Sequence, residues 1–244
     1  MSNLSPLFER THILLGDEGL ERLRNANVFL AGLGGVGSYA AEALARTGVG
    51  RLTLVDHDVV SGSNMNRQLP AMRSTVGQKK VQVMAARIRD INPDCELTLV
   101  EELLMISTME KALQGDYDFV IDCIDSMSCK VALIATAYHK GIPVASSMGA
   151  GNKLDPALIK TGDLMDSEIC KLARHVRRRA RRLDVDRGVL AVWSTEPPAK
   201  PLPPQPVSQG RARAVNGTVS YMPALFGLTL AGAVVQRLLT QDED

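Results

Sequence analysis

Apolar residues fall along this chain in short runs separated by polar turns, and their spacing alternates between two periods. Val28–Ala31 is an unbroken apolar run, the pattern of a strand buried on both faces. Gly32, Gly34, Gly35 and Gly37 crowd the turn after it. Ser38–Thr47 then carries a helical spacing with Gly48 as its stop, and Arg51–Val55 is a second strand ending on Asp56. The alternation continues. Val81, Met84, Ala85, Ile88 and Ile91 share one helical face before Pro93, and Glu96–Val100 is a strand. Ser107–Glu110 is a capping box for a short helix. Strands at Phe119–Ile121 and Val144–Ser147 flank a helix over Ser128–Lys140. Strands alternating with helices predict an α/β fold, a doubly wound, Rossmann-like sheet that is mostly parallel.

Residues 1–27 precede this pattern as an N-terminal helical segment. Asp17 caps a helix through Asn25, with Leu20 and Leu23 inward and Arg10 solvated. Residues 28–150 form the nucleotide-binding domain. Residues 151–244 read as a substrate-binding elaboration of different character, in which a helix spans about Ser167–Leu183 and a strand Val189–Ser194. Residues 197–206 hold six of the twelve prolines, which predicts an extended surface linker, mobile on through Gly210–Arg213. Residues 214–236 contain no charge, and Tyr221–Val235 is mostly apolar. A membrane span needs ~20 apolar residues, so a helix closing the sheet or lining a subunit interface is the expectation. Peripheral membrane contact is the alternative.

Composition narrows the class. The 244 residues are 45% hydrophobic, enough for a sizeable core, and the net charge of +1 means that any basic partner-binding face is local. Cys95, Cys123, Cys129 and Cys170 form no C-x-x-C pair, which argues against a structural zinc site and a disulfide framework. The N-terminus has no apolar signal core, so a cytoplasmic location is expected.

The candidate chemistry gathers after the glycine turn. Glycines let backbone approach a phosphate, and the following helix start offers free N–H groups. Asp56, about 20 residues on, suits ribose hydroxyls. Asp58, Asn64, Arg67, Gln68 and Lys80 follow, polar groups fitted to a triphosphate rather than to a nicotinamide. A nucleoside triphosphate is therefore the expected ligand. Asp122 and Asp125 arrive at the carboxyl edge of the sheet; Asp122 reads as structural, and Asp125 either caps a helix or holds Mg²⁺. On the basic helix, Arg174, Arg178 and Arg181 share a face flanked by Arg177 and Arg182, above an apolar stripe of Ile169, Leu172, Ala173, Val176 and Ala180. That face is either solvated or a polyanion-binding stripe. Its charge density in a nearly neutral chain favours the latter.

Five stretches in order and spacing, FERTHILLG, GLGGVGS, VDHDVVSGSNMNRQ, VGQKK and DCIDS, resemble the ubiquitin-activating enzyme-like adenylyltransferases over roughly residues 8–150. The resemblance implies that Arg10 reaches the nucleotide site of a partner subunit in a homodimer. It also implies that Asn64, Arg67 and Lys80 hold the triphosphate, Asp56 the ribose and Asp125 the magnesium ion. Trp193–Glu196, GTVSYMPALFGLTLAG and the basic helix are similar to the tRNA threonylcarbamoyladenosine dehydratase branch. That likeness implies adenylation of a carboxylate on a modified tRNA, Arg10, Arg67, Lys80 and Asp125 as catalytic groups, tRNA held by the basic helix, and association with a sulfur-transfer system. An activator of a ubiquitin-like sulfur carrier is the alternative. Against it, the two C-x-x-C pairs usual in those activators are missing, and Cys170 has no evident base.

Overall fold

The computed structural model describes residues 6–200, 202–205 and 213–240. One seven-stranded sheet organises them. Its strands are β1 (Asn27–Ala31), β2 (Arg51–Val55), β3 (Glu96–Val100), β4 (Phe119–Asp122), β5 (Val144–Ser147), β6 (Ile159–Asp163) and β7 (Leu190–Ser194), in the order β3-β2-β1-β4-β5-β7-β6. All neighbours are parallel except β6, which runs antiparallel to β7 at the edge. β1, β2 and β4 read as continuous apolar runs because both faces of the central sheet are covered.

The helices are α1 (Glu9–Asn25), α2 (Gly37–Thr47), α3 (Lys80–Ile91), α4 (Met109–Ala112), α5 (Met127–His139), α6 (Lys171–Ala180) and α7 (Tyr221–Thr240). α1, α2, α3 and α7 bury their apolar faces on one side of the sheet, around Leu30, Leu44, Leu54 and Phe226. α5 and α6 cover the other side, around Phe29, Ile134, Val176 and Trp193. α1 breaks at Gly16 (φ 70°, ψ −175°), so its second half starts at Asp17 and buries Leu20 and Leu23 as expected.

Several local expectations change. The box at Ser107 does not form; the Thr108 hydroxyl instead accepts the Met105 N–H, at 3.1 Å. The basic helix is shorter than Ser167–Leu183, spanning Lys171–Ala180 with one further tight turn to Leu183. Ile169 lies before it with a left-handed backbone (φ 61°) and is 55% exposed, so the buried stripe is Ala173, Val176 and Ala180. Part of the proline-rich stretch is folded: β8 (Leu202–Gln205) pairs antiparallel with β9 (Arg213–Val215). The mobility expected before Arg213, at residues 210–212, lies outside the described residues.

α7 settles as a core helix. Met222, Phe226, Leu230, Ala231, Val234 and Leu238 join the hydrophobic core beneath it, although its length and apolarity alone would suit a membrane span. A Cβ on Gly227 would sit 2.2 Å from the Val36 carbonyl oxygen, so only glycine lets α7 cross this close to the start of α2. β6 and β7, both from beyond residue 150, extend the same sheet as β1–β5.

Candidate active site

The register of the sheet builds the site. Ala31, Val55 and Asp122 lie side by side at the ends of β1, β2 and β4, so the segments after them leave the sheet at one level. β1 lies between β2 and β4, where the order of the strands reverses; open α/β sheets bind ligands in that crevice. A cavity of about 710 Å³ opens there. It is lined by Gly32, Gly34, Gly35, Asp56, Asp58, Arg67, Gln68, Lys80 and Asp125, nine residues that the sequence had assigned to nucleotide binding or catalysis.

The turn is held by its own chemistry. Gly32 adopts φ 92°, and a Cβ there would lie 2.7 Å from the Cys123 carbonyl oxygen. Gly37 does different work. It does not line the cavity, and a Cβ on it would fall 1.7 Å from the Gly32 oxygen, so it lets α2 start directly against the turn. The nearly buried Asp56 accepts the Leu33 N–H at 2.6 Å through one oxygen and the Asp58 N–H at 2.9 Å through the other. It ties the glycine turn to the end of β2 while facing the cavity.

Lys80 is the first residue of α3 and its side chain is only 5% exposed. Its ammonium donates to Asp58 at 2.7 Å. Partial burial opposes ionisation of Asp58, but the Lys80 ammonium outweighs it and holds the carboxyl below its ordinary value. The Arg67 guanidinium donates to the Ser63 carbonyl (2.9 Å) and the Asn66 side chain (2.8 Å) through one terminal nitrogen, leaving its other donors for a ligand. Asn64 is not brought to the cavity: its side-chain oxygen accepts the Ser61 N–H at 3.0 Å and closes the 62–64 turn. Arg10 is exposed on α1 and does not line this chain's cavity.

Asp122 and Asp125 separate cleanly. Asp122 is fully buried and accepts from Lys130 Nζ (2.6 Å), Ser146 Oγ (2.5 Å) and the Ile124 N–H (3.0 Å), which shapes the turn after β4. Asp125, on that turn, is exposed to the cavity, and its carboxylate has no hydrogen bond or ion pair among the described residues. A free carboxylate beside a phosphate-binding turn suits Mg²⁺, which takes hard oxygen ligands and keeps its waters. Asp56, His57 and Asp58 also approach one another closely, but both Asp56 oxygens are engaged by backbone N–H groups, and the Asp58 oxygens lie against Lys80 and His57.

On the basic helix, Arg174, Arg178, Arg181 and Arg182 are exposed, with side chains that make no hydrogen bond or ion pair among the described residues. Arg177 differs: half-buried, it donates to the Ser167 carbonyl and hydroxyl and so ties the helix to the preceding loop rather than facing solvent. Cys170 is buried, and burial pushes the Cys95 thiol up to about 11 and that of Cys123 further still.

Part of the cavity wall was not legible. Ala150, Gly151, Asn216, Gly217, Thr218 and Pro223 close it from the second half of the chain. The sequence marked them only by the GAGN turn and the start of the GTVSYMPALFGLTLAG stretch, and neither predicts that they meet the nucleotide turn.

A glycine turn, a ribose-side acid and a cationic loop meeting at the reversal of a doubly wound sheet define a nucleotide-binding α/β enzyme. This chain belongs to the ThiF family, whose model matches residues 8–244. It is similar to the tRNA threonylcarbamoyladenosine dehydratase of Bacillus subtilis (strain 168), 40% identical over 243 residues that cover 97% of this chain and 96% of that protein. Among solved structures, it resembles the Escherichia coli tRNA N6-threonylcarbamoyladenosine dehydratase in complex with ATP, with a TM-score of 0.85 and 34% identity, covering 97% of this chain and 95% of that one. The AMP complex of the same enzyme gives a TM-score of 0.86 at 34% identity, covering 100% and 99%.

Proposed function

We propose that the protein is an ATP-dependent tRNA threonylcarbamoyladenosine dehydratase that adenylates the threonyl carboxylate of the modified adenosine beside the anticodon. The observation that carries this is the cavity itself: a phosphate-binding turn, two cationic side chains and a free carboxylate converge in it, in a chain similar along nearly its whole length to dehydratases, one of them solved with ATP.

ATP lies across the glycine turn with its ribose toward Asp56. The threonyl carboxylate attacks the α-phosphorus, the bond to the bridging oxygen breaks, and pyrophosphate leaves. Arg67 and Lys80 stabilise the charge growing on the phosphates, the preorganised electrostatic contribution that dominates such transfers. Asp125 would hold Mg²⁺, which would supply positive charge to neutralise the phosphates. The substrate's own carbamoyl group then attacks the activated carbonyl and expels AMP, so the nucleoside loses one water overall. A tethered nucleophile of this kind has a high effective molarity, and no enzyme thiol is needed. Neither Cys95 nor Cys123 would serve as one, since burial disfavours their thiolates.

Arg10, exposed on α1 and outside its own chain's cavity, is assigned to the nucleotide site of a second copy, which makes the active form a homodimer. The apolar Ile13 and Leu14, 71% and 83% exposed on the same helix, favour a protein partner there. Arg174, Arg178, Arg181 and Arg182 hold tRNA phosphates; Arg177 is withdrawn from that role.

The test is ATP–pyrophosphate exchange with tRNA carrying threonylcarbamoyladenosine, with unmodified tRNA and without RNA, followed by mass analysis of the nucleosides. Exchange confined to the modified tRNA, with loss of one water mass, is expected. Absence of exchange with every RNA would overturn the reading in favour of a protein carrier.

A further inference from the structure

One side chain, Asn152, makes two bonds to residues 216 and 217 of the cavity wall. Asn152 is one of three non-glycine residues with a left-handed backbone among the described residues, at φ 59°. Its side-chain oxygen accepts the Gly217 N–H at 2.6 Å and its amide donates to Asn216 Oδ1 at 2.8 Å. Its main chain adds two more bonds, to the Gly217 carbonyl (2.8 Å) and from the Ala199 N–H (2.9 Å). Both ends of the excursion that carries β8 and β9 are thus fastened to the same residue.

The surroundings hold this arrangement rather than the excursion. Glu196 accepts the N–H groups of Leu154 and Asp155, and the buried Lys153 ammonium donates to the Ser194 and Glu196 carbonyls, so the turn bearing Asn152 is bolted to the end of β7. From the other side, the Asn66 amide donates to the Thr218 carbonyl at 3.3 Å, one residue before the Arg67 of the cationic loop. Residues 216–218 therefore span from the end of β7 to that loop, and they line the same cavity as Asp125 and the glycine turn.

We infer that Asn152 is a positioning residue for the acceptor substrate: it sets the 216–218 wall at the distance that lets the substrate carboxylate reach the α-phosphate, without touching ATP itself. The inference rests on the adenylation reading above. Asparagine suits the position twice over, since it tolerates the left-handed backbone and bonds its neighbours through both ends of one amide.

The test separates geometry from general damage. Asn152→Gly keeps the left-handed backbone and the two main-chain bonds but removes both side-chain bonds. Asn152→Asp keeps the acceptor for the Gly217 N–H and loses only the donor to Asn216. ATP affinity is measured by calorimetry, and kcat/KM by pyrophosphate exchange with the modified tRNA. Asn152→Gly should bind ATP within twofold of the parent and lose about tenfold or more in kcat/KM for tRNA, the loss expected when two hydrogen bonds that fix a wall are removed. Asn152→Asp should recover part of it. Parent-like kcat/KM in Asn152→Gly, or an equal loss in ATP affinity and in turnover, would overturn the inference. Absence of exchange in the parent protein would instead sink the dehydratase reading, which is a different result.

Discussion

The buried pair beneath the catalytic turn offers a sharp test of how this site is held. Lys130 and Asp122 are 1% and 0% exposed and lie 2.6 Å apart. Lys130→Met fills much the same space but leaves Asp122 with only the Ser146 hydroxyl and the Ile124 N–H to satisfy a buried charge. Removing one partner of such a pair costs about 3–5 kcal/mol, because the other charge stays desolvated and uncompensated. At about 2–4 °C per kcal/mol for a chain of this size, Tm should fall by about 6–20 °C. Neutralising the second partner should undo most of this, so Asp122→Asn combined with Lys130→Met should recover at least half of the loss. Thermal and urea unfolding followed by circular dichroism measure both variants, and pyrophosphate exchange at low temperature reads the turn that carries Asp125. A single variant that loses less than about 1 kcal/mol, or a double variant no more stable than Lys130→Met alone, would refute the argument that this pair is a coupled, desolvated support.

Asp125→Asn should lower pyrophosphate formation by about a hundredfold or more while leaving Tm unchanged, since its carboxylate supports nothing else among the described residues. Unchanged turnover at saturating magnesium would remove its metal role. Replacing Arg174, Arg178 and Arg181 by Ala should weaken tRNA binding and reduce the slope of log K against log salt by about 2–3, whereas Arg177→Ala should cost stability and leave the slope alone; filter binding across a salt series distinguishes them. The acid limb of stability is also set by named groups. Burial opposes ionisation of Glu42, but Arg87 and Arg46 outweigh it and hold its carboxyl below 4.5, as Lys80 holds Asp58 below 3.8. A carboxyl lowered in the folded state adds stability that is complete above its unfolded value and lost as pH falls through the folded one. Tm should stay level down to about pH 5 and drop below about pH 4, and Glu42→Gln should flatten part of that drop.

Much of this molecule could be read in advance where apolar runs and glycines coincide. β1, β2 and β4 were legible because burial on both faces leaves few polar residues in them, and the glycine turn because close backbone approach excludes a Cβ. β6 was not legible: Ile159–Asp163 is a half-exposed edge strand with Lys160, Thr161 and Gly162 at its centre. β8 was hidden by its prolines, which an edge ladder tolerates and a central one does not. Side-chain direction was beyond reach for Arg177, whose spacing matched its exposed neighbours but whose guanidinium turns to Ser167. The Asn64 side-chain oxygen closes a turn, a use that nothing in its spacing separates from holding a ligand.

The crossing of α7 over the start of α2 carries a consequence for how such chains can diverge. Gly227 lies against the Val36 carbonyl, and Pro223 stands beside Gly35 in the cavity wall. The phosphate-binding turn is therefore moulded on one side by the last helix of the chain, and it is not an interchangeable cassette. A lineage that acquired a new acceptor by remodelling residues 151–220 would have to keep the small, uncharged face of α7, or the nucleotide turn would lose its backing.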